Sequence, residues 1–548
     1  MPSSPKTAKA TLESLERVFT VPEAPDSTLG RLERNISENL LGFLREHVVV
    51  HERELSEIEQ SFSSPEVPEE PTFVSEQARF LLSNVVLQSV HTASPYFVGH
   101  MTSALPYFML PLSKIMIALN QNLVKTETSK AFTPLERQVL GMLHRLVFSC
   151  SADFYGRWMH SSERPLGMFC SGGTIANITA LWVARNRAFG AQADFPGVNQ
   201  SGVFRALKHY GYEGVAVLVS ERGHYSLKKA MDVLGLGRES LITIPTDDDN
   251  KVDLSLLRAK CDELTAQRIC ILAIVAIAGT TETGNIDPLN EVADVCQEHR
   301  CHFHVDAAWA GPVLMSNKHR PLMAGIERAD SVTLDAHKQL YVPMGAGMLL
   351  LKEPEAAKDI LHYAHYIVRP GSKDLGVATL EGSRPGMAML VHSALNIFGR
   401  QGFELLIDRG ITRAAEFAKM IEEDANFQLI SEPETNILTY RLVPPEMNKV
   451  WGQLTNEDKA RINEPLNVLT VELQKKQRER GHSFVSRTTL TPALNAHLDT
   501  VVFRTVLANP LTSNAILREV LAEQVSLAQL PAMQPLLARV RSAIQECV

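Results

Sequence analysis

Two features between about residues 166 and 351 predict an α/β fold built on a mostly parallel sheet. Short apolar runs recur there, at Val215–Val219, Ile271–Ala278, Phe303–Val305 and Met348–Leu351, and amphipathic stretches separate them. Runs that are apolar on both faces belong to strands covered by helices on both sides, the setting of parallel sheets. A third feature lies beyond Gly386. Long helical patterns there give way to strand candidates at Phe427–Val443 and Val501–Leu507, the texture of a separate, smaller α+β domain.

Taken in order, residues 1 to about 28 are rich in Ser, Pro, Thr and Lys, a composition that favours partial disorder. From Thr28 to about Gln60 the pattern is helical, with Leu32, Ile36, Leu40, Leu41 and Leu44 at helical spacing. Ser61–Pro71 is a Pro- and Glu-rich linker. Thr133-Pro134-Leu135-Glu136 predicts a helix start with a capping box and a proline in the first turn. Asp287-Pro288 predicts a second cap of the same kind. At 548 residues the chain is too long for one core. We divide it into an N-terminal helical segment (1–100), a large domain (101–385) and a C-terminal small domain (386–548).

Composition excludes several classes of partner. A formal charge of −8 argues against a nucleic-acid backbone or an anionic membrane. The longest apolar run, Ile271–Ala278, is far short of the ~18–20 residues that cross a bilayer. Met1–Thr20 is polar and lacks the apolar stretch of a secretory signal. The 7 cysteines form no CxxC pair, so reduced thiols, a cytoplasmic location and no metal centre are expected.

Three segments carry candidate chemistry. In Phe169-Cys-Ser-Gly-Gly-Thr-Ile-Ala-Asn177 a strand ends near Cys170 and a helix starts near Thr174. Backbone N–H groups and the helix dipole there suit a phosphate, although Ser-Gly-Gly-Thr is also an ordinary turn. In His302-Phe-His-Val-Asp-Ala-Ala-Trp309, Asp306 falls just past a buried strand, where a carboxylate calls for a cationic partner. A protonated pyridine nitrogen would serve; a helix cap or a loop aspartate is the plainer reading. In Ser331-Val-Thr-Leu-Asp-Ala-His-Lys-Gln339 a short strand delivers His337 and Lys338 to its carboxyl end. A confined lysine there can lose its proton and attack an aldehyde. Gly279-Thr280-Thr281 adds hydroxyls after the longest apolar strand, and His224, after another strand end, could lie flat on a ring. All of these lie at strand ends, in the order that one sheet would need to surround a single phosphate-bearing ring.

The ordered motifs SGGTxAN, SxxxHxS, GTTxxGxxDP, HVDAAWAG and DxHK resemble the group II pyridoxal-5′-phosphate-dependent decarboxylases, of fold type I (aspartate aminotransferase-like). The resemblance runs from about His91 to the C-terminus. It implies pyridoxal 5′-phosphate as cofactor and loss of the α-carboxylate of an amino acid, giving an amine and CO2. It also implies a role for each matching residue. Lys338 would carry the cofactor as a Schiff base, Asp306 would pair with the pyridine nitrogen, and His224 would stack on the ring. Gly173, Thr174 and His337 would lie at the phosphate, with Thr281 and Ala308 also touching the cofactor.

The family's mobile loop bears a proton-donating tyrosine, and its spacing from the lysine favours Tyr366 over Tyr363. Pro95-Tyr-Phe-Val-Gly-His-Met-Thr102 matches a substrate-pocket segment and puts His100 near the substrate. Phe503-Arg-Thr-Val-Leu-Ala-Asn-Pro510 makes Arg504 the residue that binds a substrate carboxylate, while Arg384 occupies a family-like position of unassigned role. Gln339 stands where many aromatic-amino-acid decarboxylases have Trp. The stretch SKDLGxxTLEGSRPG looks more like the bacterial aspartate 1-decarboxylases and their glutamate-decarboxylase relatives, so an acidic substrate is expected, aspartate or glutamate before an aromatic amino acid, diaminobutyrate or cysteine sulfinate, with a different pyridoxal-phosphate lyase as the alternative. The family site lies between two subunits, which implies a homodimer.

Overall fold

The computed structural model describes residues 28–45, 49–50, 53–161, 163–364 and 371–547. Seven strands, β1 (Gly167–Cys170), β2 (Gly214–Ser220), β3 (Leu241–Ile244), β4 (Ile269–Ile277), β5 (His302–Asp306), β6 (Ser331–Asp335) and β7 (Gly347–Leu351), form one sheet in the order β1-β7-β6-β5-β4-β2-β3. Only β7 runs against its neighbours; every other pairing is parallel. The expected mostly parallel sheet is therefore present, with helices in the crossovers that parallel strands require. Gly173–Ala188 follows β1, Leu254–Ala266 precedes β4, and Leu289–His299 joins β4 to β5.

The sheet is buried on both faces, and β2 shows how. Ala216 and Leu218 join the core beneath the helices Phe132–Phe148 and Leu289–His299, while Val215, Val217 and Val219 join the opposite core under Gly173–Ala188. Period-two alternation thus feeds two apolar layers, and no face is left for polar residues. A second sheet, entirely antiparallel, has the order β10-β11-β9-β8, from β8 (Phe427–Ser431), β9 (Ile437–Leu442), β10 (Ser486–Leu490) and β11 (Thr500–Val506). The 36-residue helical run Ala388–Glu423, interrupted at Gly399, gives its first part to the large-sheet core and its last part to the core of the second sheet.

Three local expectations are corrected. The first helix covers Thr28–Arg45 and does not run on to Gln60. Val49 and Val50 instead donate their N–H groups to the Gly481 carbonyl, at 2.8 and 3.3 Å, so tertiary pairing overrides the helical pattern. Thr133 is not a cap, because the helix Phe132–Phe148 has already begun. Its hydroxyl meets Ser129 Oγ at 2.6 Å, and the Glu136 carboxylate is committed to Arg384. Asp287 does not cap the helix Leu289–His299 either. Its carboxylate turns inward and accepts the N–H groups of Val252 and Ile277 at 2.8 and 2.7 Å, and burial pushes its pKa up to about 6.

Among the described residues no helix is long and apolar enough to cross a membrane, and all seven cysteines are free thiols. Arg384, whose role the sequence left unassigned, is a structural residue. Two 2.6 Å hydrogen bonds join its guanidinium to both oxygens of Glu136, and both side chains are almost wholly buried. A buried pair gains little over an apolar substitute, yet removing one partner strands the other charge. Glu136→Ala should therefore lower the unfolding free energy by about 3–5 kcal/mol. Urea denaturation checks this, and a loss under about 1 kcal/mol would mean that water reaches Arg384.

Candidate active site

The carboxyl ends of β1, β2, β4, β5 and β6 open on one cavity of about 500 Å³. Gly173, Thr174, His224, Thr281, Asp306, Ala308, His337 and Lys338 line it, and His100 and Arg504 close it from the side of the second sheet. Ten of the eleven residues singled out in the sequence thus meet at one place. The eleventh, Tyr366, lies outside the described residues. Tyr363 is 45% exposed and is not part of the cavity wall.

Asn177 organises the buried side of the cavity. Its amide nitrogen donates to Asp306 Oδ2 at 2.8 Å and to Ser226 Oγ at 3.0 Å. Its carbonyl oxygen faces His304 Nε2 at 3.1 Å. Ser226 Oγ lies 2.8 Å from His224 Nδ1, which also accepts the Ser226 N–H at 3.3 Å. These contacts put the ring proton of His224 on Nε2. Burial pushes the pKa of His224 down, which keeps the ring neutral near pH 7. Behind Asn177, His304 Nδ1 meets Ser331 Oγ at 2.8 Å, and the same hydroxyl meets His302 Nε2 at 2.7 Å. Both of these histidines are pushed down by burial. The Asp306 carboxylate also accepts the Ala308 N–H, at 3.2 Å.

Lys338 Nζ lies 3.4 Å from Asp335 Oδ2, and His337 Nε2 lies 3.6 Å from the same oxygen. His337 is fixed from its other side by the Ala346 carbonyl, 3.0 Å from Nδ1. Asp335 is buried at the end of β6, where burial raises its pKa against the pull of Lys338 and His337. Glycines make room for it. A Cβ on Gly173 would stand 2.9 Å from Asp335 Oδ2, and one on Gly347 would stand 2.6 Å from Oδ1. Any side chain at either position would push the carboxylate out of place.

Gln339 ties the lysine segment to its surroundings. Its amide donates to the Trp309 carbonyl at 2.9 Å and accepts from Asn436 at 3.2 Å, and Asn436 accepts from the Trp309 indole at 3.0 Å. On the facing wall the chain at Gly99 runs so close to β10 that a Cβ would sit 2.3 Å from the Ser486 nitrogen. That approach sets His100 beside Arg504, whose Nη1 is 3.4 Å from the Gly99 carbonyl. Burial pushes the pKa of His100 down, and Arg504 and Lys338 add to the effect. Burial also lowers Arg504, to about 10, with Glu282 opposing.

Sequence reasoning passed over Asn177, Asp335 and Arg222, all of which line the cavity. Each stands inside a motif that had been read for another residue: Asn177 closes SGGTxAN, Asp335 opens DxHK, and Arg222 lies two places before His224.

The cavity fits pyridoxal phosphate. Asp306 is a buried carboxyl with two neutral donors and, among the described residues, no ion-pair partner, so a protonated ring nitrogen would be the cation it lacks. Gly173 and Thr174 begin a 16-residue helix at the cavity wall, a place for a phosphate. Lys338 supplies an amine to the same cavity.

Residues 57–443 match the model of the pyridoxal-dependent decarboxylase conserved domain. The chain is 60% identical to an aspartate 1-decarboxylase of Aliivibrio fischeri, over 95% of this chain and 96% of that one. It is 29% identical to the cysteine sulfinic acid decarboxylase of Mus musculus, over 81% and 84% of the two chains. The crystal structure of mouse CSAD superposes with a TM-score of 0.78 at 26% identity, covering 91% of this chain and 99% of that one.

Proposed function

The chain belongs to the pyridoxal-dependent decarboxylases, and on that footing we propose that it converts L-aspartate to β-alanine and CO2. It is a pyridoxal-phosphate-dependent amino-acid carboxy-lyase. The choice of aspartate rests on the 60% identity, across almost the whole chain, to a relative named for that substrate. Two buried arginines in the cavity, Arg222 and Arg504, suit an acidic amino acid.

When bound, pyridoxal phosphate supplies an aldehyde for the substrate amine and a ring that accepts the electron pair freed as CO2 leaves. The chain's own residues position and protonate. Lys338, whose amine lines the cavity, would be the covalent attachment point of the cofactor. Asp306, held by Asn177, keeps a proton on the ring nitrogen through its charge. His224, neutral through burial, would cover one face of the ring. Gly173, Thr174 and His337 would hold the phosphate, and Thr281 and Ala308 would flank the ring. Arg504 takes a substrate carboxylate, with His100 beside it. Its grip fixes the direction of the Cα–COO⁻ bond, and that direction decides which bond breaks. Tyr366 delivers the proton to Cα. The meeting of these residues, Tyr366 apart, on one cavity supports the assignments.

The proposal includes a homodimer working in the cytoplasm, with the division at 1–100, 101–385 and 386–548. Ile36, Leu41, Phe73, Val74, Leu81 and Leu87 are exposed apolar residues gathered in the N-terminal segment, a surface that a second copy would cover. Reduced cysteines suit a reducing compartment. Two separate sheets support the domain division.

Among L-aspartate, L-glutamate, cysteine sulfinate, diaminobutyrate and aromatic amino acids, L-aspartate should give the highest kcat/KM, with β-alanine and CO2 in equal amounts. Lys338→Ala should abolish turnover and the borohydride-trapped cofactor adduct; an adduct on another lysine would overturn the assignment. Tyr366→Phe should still release CO2 while its amine yield per CO2 falls; if Tyr363→Phe alone shows that loss, the roles exchange. Light scattering at assay concentration should give the mass of a dimer, and a fully active monomer would refute it.

A further inference from the structure

Arg222 follows β2 on the turn that leads to His224, and no step above is assigned to it. It is 8% exposed, and its side chain lines the cavity. Its recorded ion pair is a loose one, Nη2 to Glu221 Oε1 at 3.4 Å. That oxygen already accepts the Thr246 hydroxyl at 2.8 Å. Arg222 Nε is buried and has no acceptor among the described residues. Arg504, on the wall contributed by β11, is in the same condition, with Nε and Nη2 both buried and unpaired. The nearby acid is Glu282. Its Oε2 is likewise buried without a partner, and burial pushes its pKa up while Arg222 and Arg504 pull it down.

The cavity wall therefore carries two guanidinium groups, and both act on Glu282, a carboxyl that burial drives toward its neutral form. Buried donors without acceptors are costly, and a guanidinium is the group best shaped to take a carboxylate through two parallel hydrogen bonds. Every substrate of a decarboxylase brings one carboxylate, the one that is lost. A second guanidinium has work only if the substrate brings a second. An aromatic or uncharged side chain would leave Arg222 Nε buried without an acceptor, and sites built to bond a polar group reject analogues that lack it.

We propose that Arg222 is the specificity-determining residue of this enzyme, binding the side-chain carboxylate of an acidic substrate while Arg504 binds the α-carboxylate. The proposal rests on the decarboxylase reading of the cavity and adds to it the element that selects a dicarboxylate.

The test uses the holoenzyme, with succinate as a dicarboxylate probe that cannot react and butyrate as its monocarboxylate counterpart. Calorimetry on the wild type should show succinate binding at least about 10-fold tighter than butyrate. In Arg222→Gln, succinate affinity should fall about 10- to 100-fold and the KM for L-aspartate should rise to match, with the cofactor absorbance unchanged. The preference for L-aspartate over L-asparagine should collapse, and Arg222→Lys should recover part of it. Wild-type affinity for succinate in Arg222→Gln, or an equal loss on both amino acids, would overturn the proposal. If Arg222→Gln does not fold, the wild-type comparison of succinate with butyrate decides alone. Turnover of L-glutamate and not L-aspartate would refute the aspartate reading yet leave Arg222 to be scored on glutamate. Turnover of neutral amino acids only would refute both.

Discussion

The side-chain amide of Asn177 makes three contacts, and the arrangement of the cavity depends on them. It gives one N–H to Asp306 and the other to Ser226, and its oxygen faces His304. Every donor and the acceptor of that amide then has a partner inside the protein, which makes its orientation single-valued. The orientation fixes the carboxylate of Asp306 at the end of β5, and through Ser226 it fixes which nitrogen of His224 carries the proton. Two histidines and a serine stand behind it as neutral links, because burial disfavours their charged forms. Through Asn177, the Asp306 carboxylate is thus tied to neutral groups only.

Close packing supplies the second condition. β1, β7 and β6 form the edge of the sheet that carries both the glycine turn and the lysine, and Asp335 sits where the three meet. The glycines at 173 and 347 let the backbone close around its carboxylate, which in turn lies within 3.4 Å of Lys338 Nζ. A buried acid beside a lysine is electrostatically favourable and sterically demanding, so small residues on both sides are a physical requirement of the arrangement.

The cavity is also a joint between two sheets. Gln339, Trp309 and Asn436 form a closed set of hydrogen bonds that connects the lysine segment to the second sheet. Val98 bonds both to Phe484 and to Val506, at 3.0 and 2.7 Å, and carries His100 with it toward Arg504. The strand ends of the large sheet thereby face His100 and Arg504, which the second sheet holds across the cavity.

The α/β class, most of the strands and the cluster at their carboxyl ends were legible in the sequence, whereas β3 and β10 were not. Apolar runs, turn residues and the order of motifs are short-range signals, and a parallel sheet brings its strand ends together whatever the details of packing. Lys338, Asp306 and His224 could be placed on that basis alone. Tertiary structure decided the pairings. Asp306 and Asn177 are 129 residues apart, and Arg384 and Glu136 are 248 apart, so no local pattern joins them. For the same reason Thr133 and Asp287, which read as caps, serve other partners, and Val49 leaves its helix for Gly481. Local sequence fixes where a strand or helix can form. Which polar group a buried side chain meets depends on contacts that exist only once the chain has packed.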